Sequence, residues 1–182
     1  MFTLRVDDEI ELQLLEKHHK EELYQLINQN RNHLRRWLPW VDGTKSADAY
    51  DDIFPRWLKK FAEGGGFESG IRYKGKLVGM VSIHPVSWEK KAASLGYYLA
   101  EEAEGKGIIT RSVKAVLRYG FEDLKLNKME IHCGVQNKKN RAVPERLGFR
   151  LDGILREEEW LYDHFHDIAV YSLLASEWKK IR

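Results

Sequence analysis

Apolar and polar positions change period several times along the chain, and each change marks an element. Ile10, Leu12 and Leu14 alternate with polar neighbours, which predicts a strand from about Glu9 to Leu14. Leu23, Leu26, Ile27 and Leu34 then recur at helical spacing. That helix ends near Arg36-Trp37-Leu38-Pro39-Trp40, where Pro39 blocks continuation. A second helix starts at Ser46, a good N-cap residue, and carries Ile53, Trp57, Leu58 and Phe61. Pro55 inside it is expected to kink it, and Gly64-Gly65-Gly66 ends it. Strands from about Phe67 to Tyr73 and from Lys76 to Ser87 flank a Lys74-Gly75 turn, and Ser94 to Ala100 is a further strand.

The second half reads as clearly. Ile109, Val113, Val116, Leu117, Phe121 and Leu124 form one stripe, so Ile108 to Leu124 is an amphipathic helix. Lys128 to Val135 reads as a strand and Lys139 to Leu147 as a short helix. Two last strands run from about Arg150 to Trp160 and from His164 to Leu173. The order β-α-α-β-β-β-α-β-α-β-β predicts a mixed sheet with helices on its faces, an α/β or α+β domain. No repeat or linker divides the 182 residues, so one domain spanning 1–182 is expected.

Composition narrows the class. With 43% hydrophobic and 32% charged residues the chain reads as soluble and globular. Thirty Lys and Arg against 28 Asp and Glu leave a net charge of +2, too weak a field to argue for direct nucleic-acid binding. The single cysteine, Cys133, excludes a disulfide framework and a cysteine-based zinc motif, and reads as a small buried hydrophobe. No basic leader is seen, and no apolar run approaches the roughly 20 residues of a membrane span, so a cytoplasmic protein without membrane contact is expected. His164 and His166 share one side of a strand, with Asp163 and Asp167 nearby. Zinc wants three or four ligands and no partner motif appears, so no metal is expected.

The chemistry concentrates at a glycine turn. Glu104-Gly105-Lys106-Gly107-Ile108 joins a strand to a helix. Gly105 and Gly107 let the backbone turn sharply and approach a ligand. The unpartnered first N–H groups of the helix and the positive end of its dipole suit a phosphate. A P-loop is excluded, because Gly107 follows Lys106 where Ser or Thr is required. A Rossmann turn is excluded, because Thr110 stands in the place of the third glycine. An ordinary turn before a helix remains the alternative on these residues alone.

The run Leu95 to Arg111 resembles the acetyl-CoA motif of the GNAT acyltransferases, whose core [QR]-x-x-G-x-[GA] matches Glu102 through Gly107, with Glu102 departing at the first place. Val135 to Phe149 is similar to a second family block, N-x-x-[SN]-x-x-[VL]-x-x-x-x-G-F. Arg31 to Trp40 and Trp160 to Asp167 extend the likeness to the Rim-type branch, which acetylates N-termini of ribosomal proteins. The resemblance implies acetyl-CoA as co-substrate. It implies a sheet whose strand Ser94–Ala100 splays from Lys128–Val135, with a β-bulge near Tyr97-Tyr98. It also implies a pantetheine arm paired with main chain at Tyr98, Leu99 and Ala100. The pyrophosphate would rest on Gly105, Lys106, Gly107, Ile108 and Ile109. Asn137 would touch cofactor or substrate, or merely cap the helix that follows.

Glu159 is the base that the resemblance implies, removing the extra proton of an amine. Strand alternation places Glu157 and Glu159 on one face and Glu158 on the other. Asn140 stands where relatives often carry a serine near the thioester sulfur. Its amide can orient CoA but cannot supply a proton, which leaves Tyr97, Tyr98 or water as the acid. Trp37 and Trp40 either line the acceptor groove or pack in the core. The acceptor is the N-terminal amine of a protein such as a ribosomal protein, or a small amine such as a polyamine or aminoglycoside. A non-catalytic CoA-binding module is the reading outside enzymes. Exposed aromatics would permit a homodimer.

Overall fold

The computed structural model describes residues 2–181. Its elements in chain order are β1 (Thr3–Arg5), β2 (Ile10–Leu14), α1 (Lys20–Gln29), α2 (Arg31–Leu34), α3 (Tyr50–Ala62), β3 (Phe67–Tyr73), β4 (Lys76–Ile83), β5 (Ala92–Leu99), α4 (Ile108–Arg118), β6 (Lys128–Gly134), α5 (Lys138–Arg146), β7 (Arg150–Leu161), β8 (His164–Leu174) and α6 (Ala175–Ile181). All eight strands join one sheet in the order β1-β2-β3-β4-β5-β6-β8-β7. Every pairing is antiparallel except β5 with β6, which is parallel.

Helices cover both faces. On one face Lys60 of α3 reaches Glu68 of β3 at 2.5 Å, and α1 packs on β4. On the other, Tyr119 at the end of α4 meets Phe67 edge-on at 5.8 Å, and Asn140 of α5 meets Tyr97 of β5. The apolar stripe read from the sequence explains α4: Ile108, Val113, Val116 and Leu117 are fully or almost fully buried.

Several local differences have physical causes. The first predicted helix breaks at Asn30, whose side chain turns back to bond the Leu26 carbonyl, and restarts as α2. Ser46 precedes a short 3-10 turn and makes no side-chain cap, so α3 starts only at Tyr50. Pro55 does not interrupt α3, and it sits on the exposed side of the helix. The amphipathic stripe continues past Arg118 as a wider π-type turn, Tyr119–Asp123, closed by Leu124 N–H to the Tyr119 carbonyl. β1 and α6 had no strong periodic signal, being three and seven residues long.

Candidate active site

β5 is paired on both sides only along its first half. Its antiparallel bonding to β4 runs from Ile83↔Leu95 to Gly79↔Leu99 without a register shift. Its parallel bonding to β6 stops at Leu95↔Ile131. β6 is held over its whole length by β8, from Lys128↔Leu174 to Gly134↔Ile168. Each strand therefore keeps its outer partner, the two part beyond Leu95 and Ile131, and a cleft of ≈ 1870 Å³ opens between them. The implied bulge at Tyr97-Tyr98 is not what opens it. The bonds His84 N–H to Ser94 O (2.9 Å) and Ala100 N–H to Val78 O (2.7 Å) set the alternation along β5. Main-chain groups of Ser94, Gly96, Tyr98 and Ala100 face β4, and those of Tyr97 and Leu99 face the gap.

Side chains divide between the faces. Tyr97 points toward α5 and donates its hydroxyl to the Asn140 carbonyl at 3.2 Å. Tyr98 points the other way and packs against Trp40, ring centroids 5.6 Å apart. Burial pushes both phenols well above the ordinary tyrosine value, so both stay protonated at neutral pH. Cys133 is buried in the β6 wall, which pushes its thiol up to about 11.

At one end of the cleft lies the glycine turn. Gly105 (φ 76°) and Gly107 (φ 68°) both occupy the left-handed region, and a Cβ on either would meet open space. The first bond into α4 runs from Arg111 N–H to the Gly107 carbonyl at 3.1 Å, so the helix makes no use of the amides just ahead of it. Gly105, Gly107, Ile108 and Ile109 line the cleft, and Lys106 and Ala100 do not. The Lys106 ammonium folds back on the Glu102 carbonyl at 2.8 Å. Glu102 points away and pairs with Lys76 at 2.6 Å, which holds its carboxyl below the usual range. The residue that departs from the motif therefore keeps its charge turned away from the glycine turn. Glu104 stays beside the turn, paired with Lys139 of α5 and 3.3 Å from His33 of α2. Asn137 and Asn140 form the α5 wall, and Asn137 also caps α5 by accepting the Asn140 N–H at 3.2 Å.

At the other end the face under α2 and α3 forms a groove. Trp37 and Trp40 line it rather than packing in the core. Glu158 and Glu159 line it together, and Glu157 does not. The alternation read from sequence fails here because β7 slips against β8 between Leu155 and Glu159. Two residues meet the site in ways not read from sequence, where His166 was weighed only as a metal ligand and His84 was not singled out. His166 Nε2 lies 2.7 Å from Glu159 Oε2. His84 lies over Gly96, where a Cβ would come within 2.6 Å of its Nε2. Desolvation pushes the His84 imidazole below its ordinary value, with Glu68 acting against it. No group of three metal-ligating side chains occurs among the described residues. No helix among them is long and apolar enough to cross a membrane.

A sheet that splays at one parallel pair, with a glycine turn and helix start at the mouth, defines an acyltransferase of the GNAT class. The family model described as "Acetyltransferase (GNAT) domain" matches residues 9–150. YdaF of Bacillus subtilis (strain 168), provisionally named a ribosomal N-acetyltransferase, is 42% identical over 180 residues, 98% of each chain. The ribosomal-protein-serine acetyltransferase of Escherichia coli (strain K12) is 28% identical over 170 residues, covering 93% of this chain and 95% of its own. A solved structure of RimL, a ribosomal L7/L12 alpha-N-protein acetyltransferase in complex with coenzyme A, superposes with a TM-score of 0.91 at 25% identity. It covers 95% of this chain and 98% of that one. The chain belongs to the GNAT acetyltransferase family and is an N-acetyltransferase.

Proposed function

We propose that this enzyme transfers the acetyl group of acetyl-CoA to the N-terminal α-amine of a protein, a ribosomal protein being the class its relatives name. The observation that carries the reading is a single cleft lined by both the glycine turn and Glu159. The main-chain groups of Tyr97 and Leu99, which face the gap, hold the pantetheine arm. This moves the contact read at Tyr98 and Ala100 by one residue and retains Leu99. The amides of Gly105 to Ile109 seat the pyrophosphate, Lys106 by its backbone alone. Asn137 and Asn140 form the opposite wall, and Asn140 orients the thioester.

Acetyl-CoA supplies the activated acyl group. An α-amine has a reference pKa of about 7.7–8.0, so much of it arrives protonated at neutral pH. Glu159 takes that proton. The freed amine attacks the thioester carbonyl, the carbon–sulfur bond breaks, and the proton that the nitrogen sheds as it becomes an amide passes through water to the leaving thiolate. Tyr97 is not the acid in this scheme, because its hydroxyl is engaged by the Asn140 carbonyl.

The test is CoA release from acetyl-CoA with N-terminal-serine and N-terminal-alanine peptides, spermidine and an aminoglycoside as acceptors. Peptide acetylation at the α-amine is expected, with Glu159→Gln slowing it roughly 10²–10⁴-fold. Preference for spermidine or the aminoglycoside would move the acceptor to small amines. Tight CoA binding without turnover on any acceptor would leave a binding module.

A further inference from the structure

The bulge in β7 brings two consecutive β8 residues to bear on the segment that carries Glu159. Leu155 pairs with Ile168 and Glu159 pairs with His166, so four steps along β7 match two along β8. Inside the bulge Glu157 adopts φ 49°, a left-handed conformation that a side chain rarely takes. Its N–H is caught by Asp167 Oδ1 at 2.8 Å. The next residue back on β8, His166, bonds the Glu159 carboxylate at 2.7 Å. Asp167 thus pins the backbone and His166 pins the side chain.

His166 is itself held. Its side chain is 12% exposed, against 39% for Glu159. A Cβ on Gly134 of β6 would lie 3.2 Å from His166 Nδ1 and 3.5 Å from the Trp37 ring, so the glycine gives the imidazole a close, unobstructed seat against β6. The imidazole is wedged between β6 and β7 beside Trp37, and it does not line the cleft. An ionised carboxylate can only accept, so Nε2 carries the proton. Glu159 on β7 meets the ring directly. The His164 ring centroid on β8 is 6.4 Å away, and its own Nδ1 lies 2.6 Å from Asp163. Gly134 of β6 and the uncharged Trp37 lie beside it.

We propose that His166 is the positioning residue of the base, holding Glu159 Oε2 so that Oε1 meets the incoming ammonium. This rests on the reading of Glu159 as the base. A glutamate on a strand edge otherwise samples many rotamers, and a misplacement of about 1 Å can cost on the order of 10²-fold in rate.

The experiment compares His166→Phe, which keeps an aromatic ring but removes the donor, with His166→Gln, which keeps a donor. An N-terminal-serine peptide and acetyl-CoA are the substrates. His166→Phe is expected to lower kcat about 10–100-fold, with KM for acetyl-CoA and Tm close to the parent. His166→Gln recovers most of the rate. Because both residues act through one carboxylate, the Glu159→Gln/His166→Phe double variant is no slower than Glu159→Gln alone. Nitrogen-15 spectra of labelled histidine show the Nε2-protonated tautomer for His166 in the parent. A fully active His166→Phe, a double variant whose losses multiply, or an Nδ1-protonated His166 overturns the proposal. A fully active Glu159→Gln instead removes the base reading on which it stands, and the two failures are read from different variants.

Discussion

Tyr162 donates its phenolic hydrogen to the Leu38 carbonyl at 2.6 Å, tying the turn between β7 and β8 to the loop after α2. Arg35 lies over the same ring, 4.4 Å from its centroid, and is itself held by Asp42 at 2.8 Å. The loop carries Trp37 and Trp40, which line the cleft, so the bond ties that wall to the β7–β8 turn. Tyr162→Phe removes the donor and keeps the ring. A net hydrogen bond of about 1 kcal/mol corresponds to roughly fivefold. KM for the acceptor should rise by about that factor and KM for acetyl-CoA should stay the same. Steady-state kinetics with each substrate varied in turn checks this.

The glycine turn offers a matched pair of substitutions. Gly107 (φ 68°) and Gly75 (φ 82°) both sit in the left-handed region with open space where a Cβ would go. Alanine at either costs about 1–2 kcal/mol of backbone strain, and each kcal/mol lowers Tm by roughly 2–4 °C at this size. Gly107→Ala should also weaken CoA binding about tenfold, because it distorts the amides that seat the phosphates. Gly75→Ala, in the turn between β3 and β4, should leave CoA affinity unchanged. Calorimetric titration with CoA beside thermal melts separates the two effects.

Stability should fall as the solution is acidified through the histidine range. His19 is buried, and its Nδ1 accepts the Glu16 N–H at 2.9 Å, which requires a neutral ring. Desolvation and the neighbouring His18 push its imidazole below the ordinary value. Below about pH 6.5 the unfolded chain binds a proton there that the folded chain refuses, so stability is lost as pH drops from that value toward the folded one. His84 contributes in the same direction. Tm measured from about pH 7.5 to 5.5 should decline, with a shallower slope in His19→Gln.

Ser112 lies wholly inside the molecule on α4, and its hydroxyl has no hydrogen-bond partner among the described residues. A buried unbonded hydroxyl is a cost, and alanine is the better helix former. Ser112→Ala should stabilise the fold by up to about 1 kcal/mol and leave turnover unchanged. Denaturant melts of the two proteins decide it, and a clear loss of stability would mean the hydroxyl has a function.

Much of the architecture was legible in periodicity. The stripe from Ile109 to Leu124, the alternation in β2 and the Lys74-Gly75 turn each appear where local pattern placed them. The glycine turn was legible too, because two glycines before a helix make a local signal. That Glu102 turns away from it was not legible, since the Lys76 that draws it off is 26 residues distant. The order of Glu157, Glu158 and Glu159 around β7 was read wrongly, because ideal alternation ignores a slip set by the partner strand.

By itself the sequence determined the longer elements, the glycine turn and the family, since all three are written in residues close together along the chain. Only the tertiary structure decided which main-chain groups of β5 face the gap, because that depends on which neighbour each strand keeps. It also decided that His166 meets Glu159 and that Tyr162 meets Leu38. The first contact depends on the β7–β8 register, and the second joins residues 124 positions apart. Such contacts arise from packing between elements, and no local pattern encodes them.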